Sequence, residues 1–115
     1  MTRNELLTRH CRPLDASAAL RGAPLTTRMQ ALPQWTIAHD TITRTYNFAD
    51  YFQTIAFVNA LAFMVHREDH HPDLTVTKNR CTVSFSTHSA SGITENDLIC
   101  AAKADAIFDQ HYAGA

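Results

Sequence analysis

The sequence predicts an α+β fold, with a four-stranded antiparallel sheet and helices packed on one face. Three observations carry this. In Ile42 to Phe48 and Cys81 to Thr87, successive residues fall on two distinct sides with the period of two expected of strands. The segment from Asp50 to about His70 contains no glycine or proline and has apolar residues at helical spacing. The strands come as two pairs, each joined by a short polar turn, so neither pair needs a helical crossover.

The elements follow in order. Residues 1–24 read as an N-terminal arm of uncertain order, with short helices over Asn4 to Arg9 and Ala16 to Leu20 interrupted by Pro13, Gly22 and Pro24. Residues 25–115 read as the domain. Thr26 is placed to cap a short helix ending at Pro33. Trp35 to Ala38 and Ile42 to Phe48 form the first strand pair, turning at His39-Asp40-Thr41. On the long helix, Phe52, Ile55, Val58 or Asn59, Leu61 or Ala62, and Val65 make one stripe. Phe57, Ala60 and Met64 make a second beside it. So wide an apolar face is either buried within its own subunit or partly covered by another one. His71-Pro72 ends that helix, because a residue before proline is pushed out of the helical region. Thr75 to Thr77 and Cys81 to Thr87 form the second pair around Lys78-Asn79, Gly92 marks a turn, and Thr94 opens a last helix running to about His111.

Bulk properties limit the function. A chain of 115 residues, 45% hydrophobic and 18% charged, suits one globular domain. A formal net charge of -1 does not favour a general nucleic-acid surface. Cys11, Cys81 and Cys100 are too few and too scattered for a disulfide framework, so they read as thiols in a reducing compartment. No apolar run suits a signal peptide or a membrane span, which places the protein in the cytoplasm.

The histidines carry the chemistry. Of seven, His66, His70, His71 and His88 fall near the end of the long helix and the end of a later strand. Imidazole titrates near neutral pH, so a cluster suits proton transfer. Adjacent helical residues point about 100° apart, so His70 and His71 would line two walls of one pocket. The strands either side of Lys78-Asn79 are similar in length, which returns His88 close to His71. His10, His39 and His111 read as isolated surface or core residues. A metal site is the chemical rival: His66 and His70 stand at i and i+4, with His88 and Cys81 as further candidates. The zinc-protease motif, however, needs Glu directly after its first His, and Arg67 stands there.

The run Glu68-Asp69-His70-His71-Pro72-Asp73, then Ser86-Thr87-His88-Ser89, Gly92 and Thr94-Glu95-Asn96-Asp97, resembles the signature of the pterin-4a-carbinolamine dehydratases. Leu32-Pro33-Gln34-Trp35 and Phe48-Ala49-Asp50-Tyr51-Phe52 resemble that family's upstream segments, so the likeness spans about Leu32 to Phe108. Leu74 and Lys78 stand where aromatics are common in the family, and His66 where an acidic residue is common.

The resemblance implies a cytoplasmic lyase that removes water from a 4a-hydroxytetrahydropterin to give a quinonoid dihydropterin, so recycling the product of an aromatic amino-acid hydroxylase. It implies His70, His71 and His88 as general acid and base, in either order. It assigns pterin binding to Asp69, His70, His71, Pro72, Ser86, Thr87, His88, Ser89 and Asp97, with no metal and no cofactor. Asp97 either orients an imidazole or caps the last helix. The wide apolar face of the long helix together with the family implies a homo-oligomer, dimer or tetramer, while charge and hydropathy lead to the expectation of no nucleic-acid or membrane partner. Two other function classes stay open: a regulatory dimerisation module of the same fold, and a metal-dependent hydrolase using the histidine cluster.

Overall fold

The chain runs α1 (Arg3–Leu7), α2 (Gly22–Met29), β1 (Thr36–Ala38), β2 (Thr41–Asn47), α3 (Tyr51–Glu68), β3 (Asp73–Val76), β4 (Arg80–Phe85) and α4 (Glu95–His111). This is a computed structural model, and it describes residues 1–112. The four strands make one antiparallel sheet in the order β1-β2-β4-β3. The α+β class and the sheet are therefore as expected from sequence.

The register separates the two faces. Ile42 pairs with Phe85, Arg44 with Val83 and Tyr46 with Cys81, and this row faces the helices. The opposite row carries hydroxyls: Thr43 pairs with Ser84 and Thr45 with Thr82, each with side-chain oxygens 2.9 Å apart. Tyr46, Val83 and Phe85 from the sheet, Phe57 and Leu61 from α3, and Leu98 and Ile99 from α4 are fully buried. Leu98 to Ala102 are all buried because α1, α3 and the sheet pack around α4. Arg44 tolerates the inward face because Asp105 meets it at 2.6 Å. The same carboxylate accepts from the Trp35 indole and the Tyr46 hydroxyl, so the buried charge is fully partnered.

Several local expectations change. The helix expected from Thr26 starts at Gly22 and ends at Met29, well before Pro33. Gly22 takes a left-handed φ of 56° at the entry. Pro24 fits in the first turn, where a backbone N–H has no intrahelical partner to lose. The core line of α3 is Thr54, Phe57, Leu61 and Val65. Phe52, part of the first apolar stripe, is 81% exposed and lies off this core line. Thr54 replaces an apolar residue in that line because its hydroxyl lies 3.0 Å from the Asp50 carbonyl and 2.9 Å from that of Lys78.

The long helix also stops earlier, at Glu68. Asp69 adopts a left-handed φ of 53°. The Asp69 amide then donates to the His66 carbonyl, and the His70 amide to the Val65 carbonyl. This is the Schellman closure, built here on Asp rather than Gly. His70 therefore lies off the helix, and the i, i+4 face argument for His66 and His70 does not hold. A turn does fall at Gly92, and its left-handed residue is the neighbouring Ser91.

Residues 1–24 lie against the rest of the fold. Leu6 is buried beneath α4, Arg3 pairs with Asp109, and the Leu20 amide donates to the Ile93 carbonyl.

Candidate active site

One end of the sheet gathers the C-terminus of α3, the start of β3, the segment after β4 and the N-terminus of α4. A cleft of about 760 Å³ opens there. His70, His71 and Pro72 form one wall as the chain leaves the Schellman turn. Ser86, Thr87, His88 and Ser89 form the facing wall, in and around a short 3-10 turn over His88–Ala90. Asp69 also lines the cleft. The β3–β4 register, with Asp73 opposite Ser84, brings the two walls together.

The three histidines are not equivalent. His71 and His88 are exposed at the cleft. His70 is largely buried, and its Nε2 lies 2.6 Å from Asp97 Oδ1. Its ring is stacked over Phe85, at 6.0 Å and 10° between planes. Asp97 is fully buried. Its second oxygen accepts from the Thr94 amide at 2.8 Å and from the Thr87 hydroxyl at 2.8 Å. An ionised carboxylate only accepts, so Thr87 donates to Asp97 and Thr94, 2.8 Å away, donates to Thr87. Asp97 thus orients an imidazole with one oxygen and caps α4 with the other. The two roles held open from sequence are both present.

Two hydroxyls assigned to pterin binding are committed elsewhere. That of Thr87 is inside the Asp97 network, and that of Ser89 donates to the Leu14 carbonyl at 2.6 Å. The Thr87 hydroxyl is therefore withdrawn from the cleft, and the exposed Ser89 hydroxyl is left only as an acceptor.

The cleft has a further wall absent from the sequence reading: Cys11 to Leu14 of the N-terminal arm. The side-chain amide of Asn96 fixes this segment, accepting from the Arg12 amide at 3.1 Å and donating to the Arg12 carbonyl at 2.6 Å. Arg9 and Arg12 both pair with Glu95. Glu68 accepts from the Cys11 amide at 2.8 Å and from Lys103 at 2.7 Å, with His10 at 3.0 Å. Burial pushes the Glu68 carboxyl up, but the Lys103, Cys11 and His10 contacts outweigh it and hold it at about 2. No periodic pattern announces such an arm, because its anchors are single polar contacts across 57 to 86 residues of sequence.

His66 and Cys81 stand outside the cleft, Cys81 fully buried in the core. Among the described residues, no group of three or more His, Cys, Asp or Glu side chains is gathered as a metal-ligand set. No helix is long and apolar enough to cross a membrane, again among the described residues.

Fold and cleft together define the class: an α+β protein built on one antiparallel sheet, with a histidine-lined cleft at the sheet's end. The chain belongs to the pterin 4 alpha carbinolamine dehydratase family, whose model matches residues 18–107. A provisionally named pterin-4-alpha-carbinolamine dehydratase of Xanthomonas campestris pv. campestris is 52% identical over 104 residues, covering 88% of each chain. One from Nitrosospira multiformis, also provisionally named, is 45% identical over 108 residues, covering 93% of this chain and 96% of that one. Among solved structures, a Brucella melitensis protein described as transcriptional coactivator/pterin dehydratase superposes with a TM-score of 0.75 at 32% identity. That match covers 77% of this chain and 97% of the other.

Proposed function

We propose that this chain removes water from a 4a-hydroxytetrahydropterin, giving the quinonoid dihydropterin, by proton transfer through His70, His71 and His88. The observation that carries this reading is the convergence of three imidazoles, one oriented by a buried carboxylate, on one cleft in a chain of this family. The cleft volume suits a small bicyclic ligand.

Dehydration breaks the bond between C4a and its hydroxyl oxygen. A proton must reach the departing hydroxyl, and one must leave N5 of the ring. With Asp97 ionised, the His70 Nε2 carries hydrogen and its Nδ1 is the basic nitrogen of the neutral ring. Stacking on Phe85 resists rotation of that ring. His71 and His88 reach solvent and exchange protons readily, so after each turnover they return to their starting charge. One protonated and one neutral imidazole complete both transfers near neutral pH. Backbone groups of Asp69, Pro72, Thr87 and Ser89, with Ser86, hold the pterin between the walls.

The same reading makes the protein a homo-oligomer, with a second copy on α3. Phe52 is 81% and Phe63 70% exposed. With Ala56 and Asn59 they follow the 4-3-4 spacing of a helix–helix seam. Such a self-complementary strip suits twofold pairing. The reading also includes a cytoplasmic setting and an aromatic amino-acid hydroxylase as the source of substrate.

The test is direct. Freshly generated 4a-hydroxytetrahydropterin is mixed with the purified protein, and its disappearance is followed against buffer alone. Acceleration proportional to protein concentration supports the reading, and a rate equal to that in buffer overturns it.

A further inference from the structure

We propose that Cys11 and Cys100 form an oxidative modification site, closing to an intramolecular disulfide that ties the N-terminal arm to α4. The two Sγ atoms lie 3.5 Å apart, from residues separated by 89 positions in sequence. Nothing in the dehydration chemistry uses either thiol. A disulfide needs about 2.05 Å between sulfurs, so the approach is about 1.5 Å. The two sulfurs already face one another, and since hydrogen bonds hold the backbone at Cys11 and Arg12, the closure falls mainly on the Cys11 side chain. Cys100 belongs to the rigid, fully buried stretch of α4.

The environments assign an order. Cys11 is half-buried and lines the cleft, so a small oxidant reaches it. Cys100 is fully enclosed, and both its contact with the Cys11 sulfur and its burial push its thiol far up. Cys11 is therefore the attacking group and Cys100 the resolving one. With a hydroperoxide such as hydrogen peroxide as oxidant, the Cys11 thiolate attacks one peroxide oxygen. The O–O bond breaks, the attacked oxygen stays on sulfur as a sulfenic acid, and the other oxygen leaves as water with the proton given up by the Cys11 thiol. Cys100 sulfur then attacks Cys11 sulfur, the S–O bond breaks, and a second water leaves with the Cys100 proton. Two thiols lose two electrons and the peroxide gains them.

The product has a structural consequence. The arm wall of the cleft is held by hydrogen bonds and ion pairs in the reduced protein, and by a covalent bond in the oxidised one. Closing so long a loop restricts the unfolded chain, so the oxidised form melts higher.

The full chain is treated with hydrogen peroxide, quenched, and its thiols counted in denaturant. The count is expected to fall from three to one, leaving Cys81, with an intact mass lower by two hydrogens. A non-reducing peptide map is expected to link the Cys11 and Cys100 peptides, and the melting temperature to rise and to return on reduction. Cys11→Ser, at a half-buried site, should keep both remaining thiols under the same treatment. Oxygen added at Cys11 without a cross-link, or disulfide-linked dimers in place of the internal bond, would overturn the proposal. If Cys11→Ser does not fold, the wild-type peptide map alone decides.

Discussion

Asp97 holds His70 at 2.6 Å with one carboxylate oxygen while the other accepts the Thr94 amide that opens α4. Imidazole orientation and helix capping share one buried side chain. Moving α4 therefore moves the imidazole, and the site is only as well placed as the helix.

Asp97→Asn separates these roles. The amide carbonyl still accepts one N–H, but its NH2 now faces a partner that was itself a donor. The expected result is a fall in kcat on the order of 10-fold with a smaller change in KM, because ring orientation and tautomer are lost more than binding. Paired kinetics and thermal melts check this. Equal losses of stability and activity would reduce Asp97 to a cap.

The fold was legible where period and punctuation agree. Ile42 to Phe48, the Thr94 capping box and the Lys78-Asn79 turn announce themselves through neighbours a few residues apart. Other features depend on contacts far apart in sequence. The Asn96 clamp on Arg12 and the Trp35–Asp105 bond join positions 84 and 70 apart. The end of α3 was misplaced because the left-handed residue is Asp69 rather than glycine. The gathering of His70, His71 and His88 was readable, since a proline break and a short hairpin dictate it. The arm wall was not.

Acid should loosen the arm. Glu68 is held at about 2 in the fold, and Glu95 below the usual carboxylate range. For Glu95, burial opposes the shift, and the bonds to Arg12 and Arg9 outweigh it. Both folded values lie below the unfolded ones of about 4.3. Their contribution is therefore fully present above about pH 5 and is lost as pH falls from there towards 2. Urea midpoints measured across that window should decline, and Glu68→Gln should flatten part of the decline. An unchanged slope in that variant would remove Glu68 from the account.

Self-association should depend on the outer face of α3. Replacing both Phe52 and Phe63 with serine removes two exposed aromatics and no core contact. Light scattering at micromolar concentration should show an oligomer for the wild type and a smaller species for the variant, with the melting curve of the isolated subunit cooperative. A wild-type monomer contradicts the proposed seam.

The central claim is that the imidazoles of the cleft carry the proton transfers, and the most direct measurement is the dehydration rate of His71→Ala, His88→Ala and the double variant. Both residues are exposed, so folding should be retained and is verified by circular dichroism. Each single change should lower kcat by about 10²-fold, the low end for a general acid or base. Some activity should remain, because the other rings relay protons through water. The double variant should fall to the rate in buffer. A folded double variant that dehydrates the substrate as fast as the wild type would contradict the account.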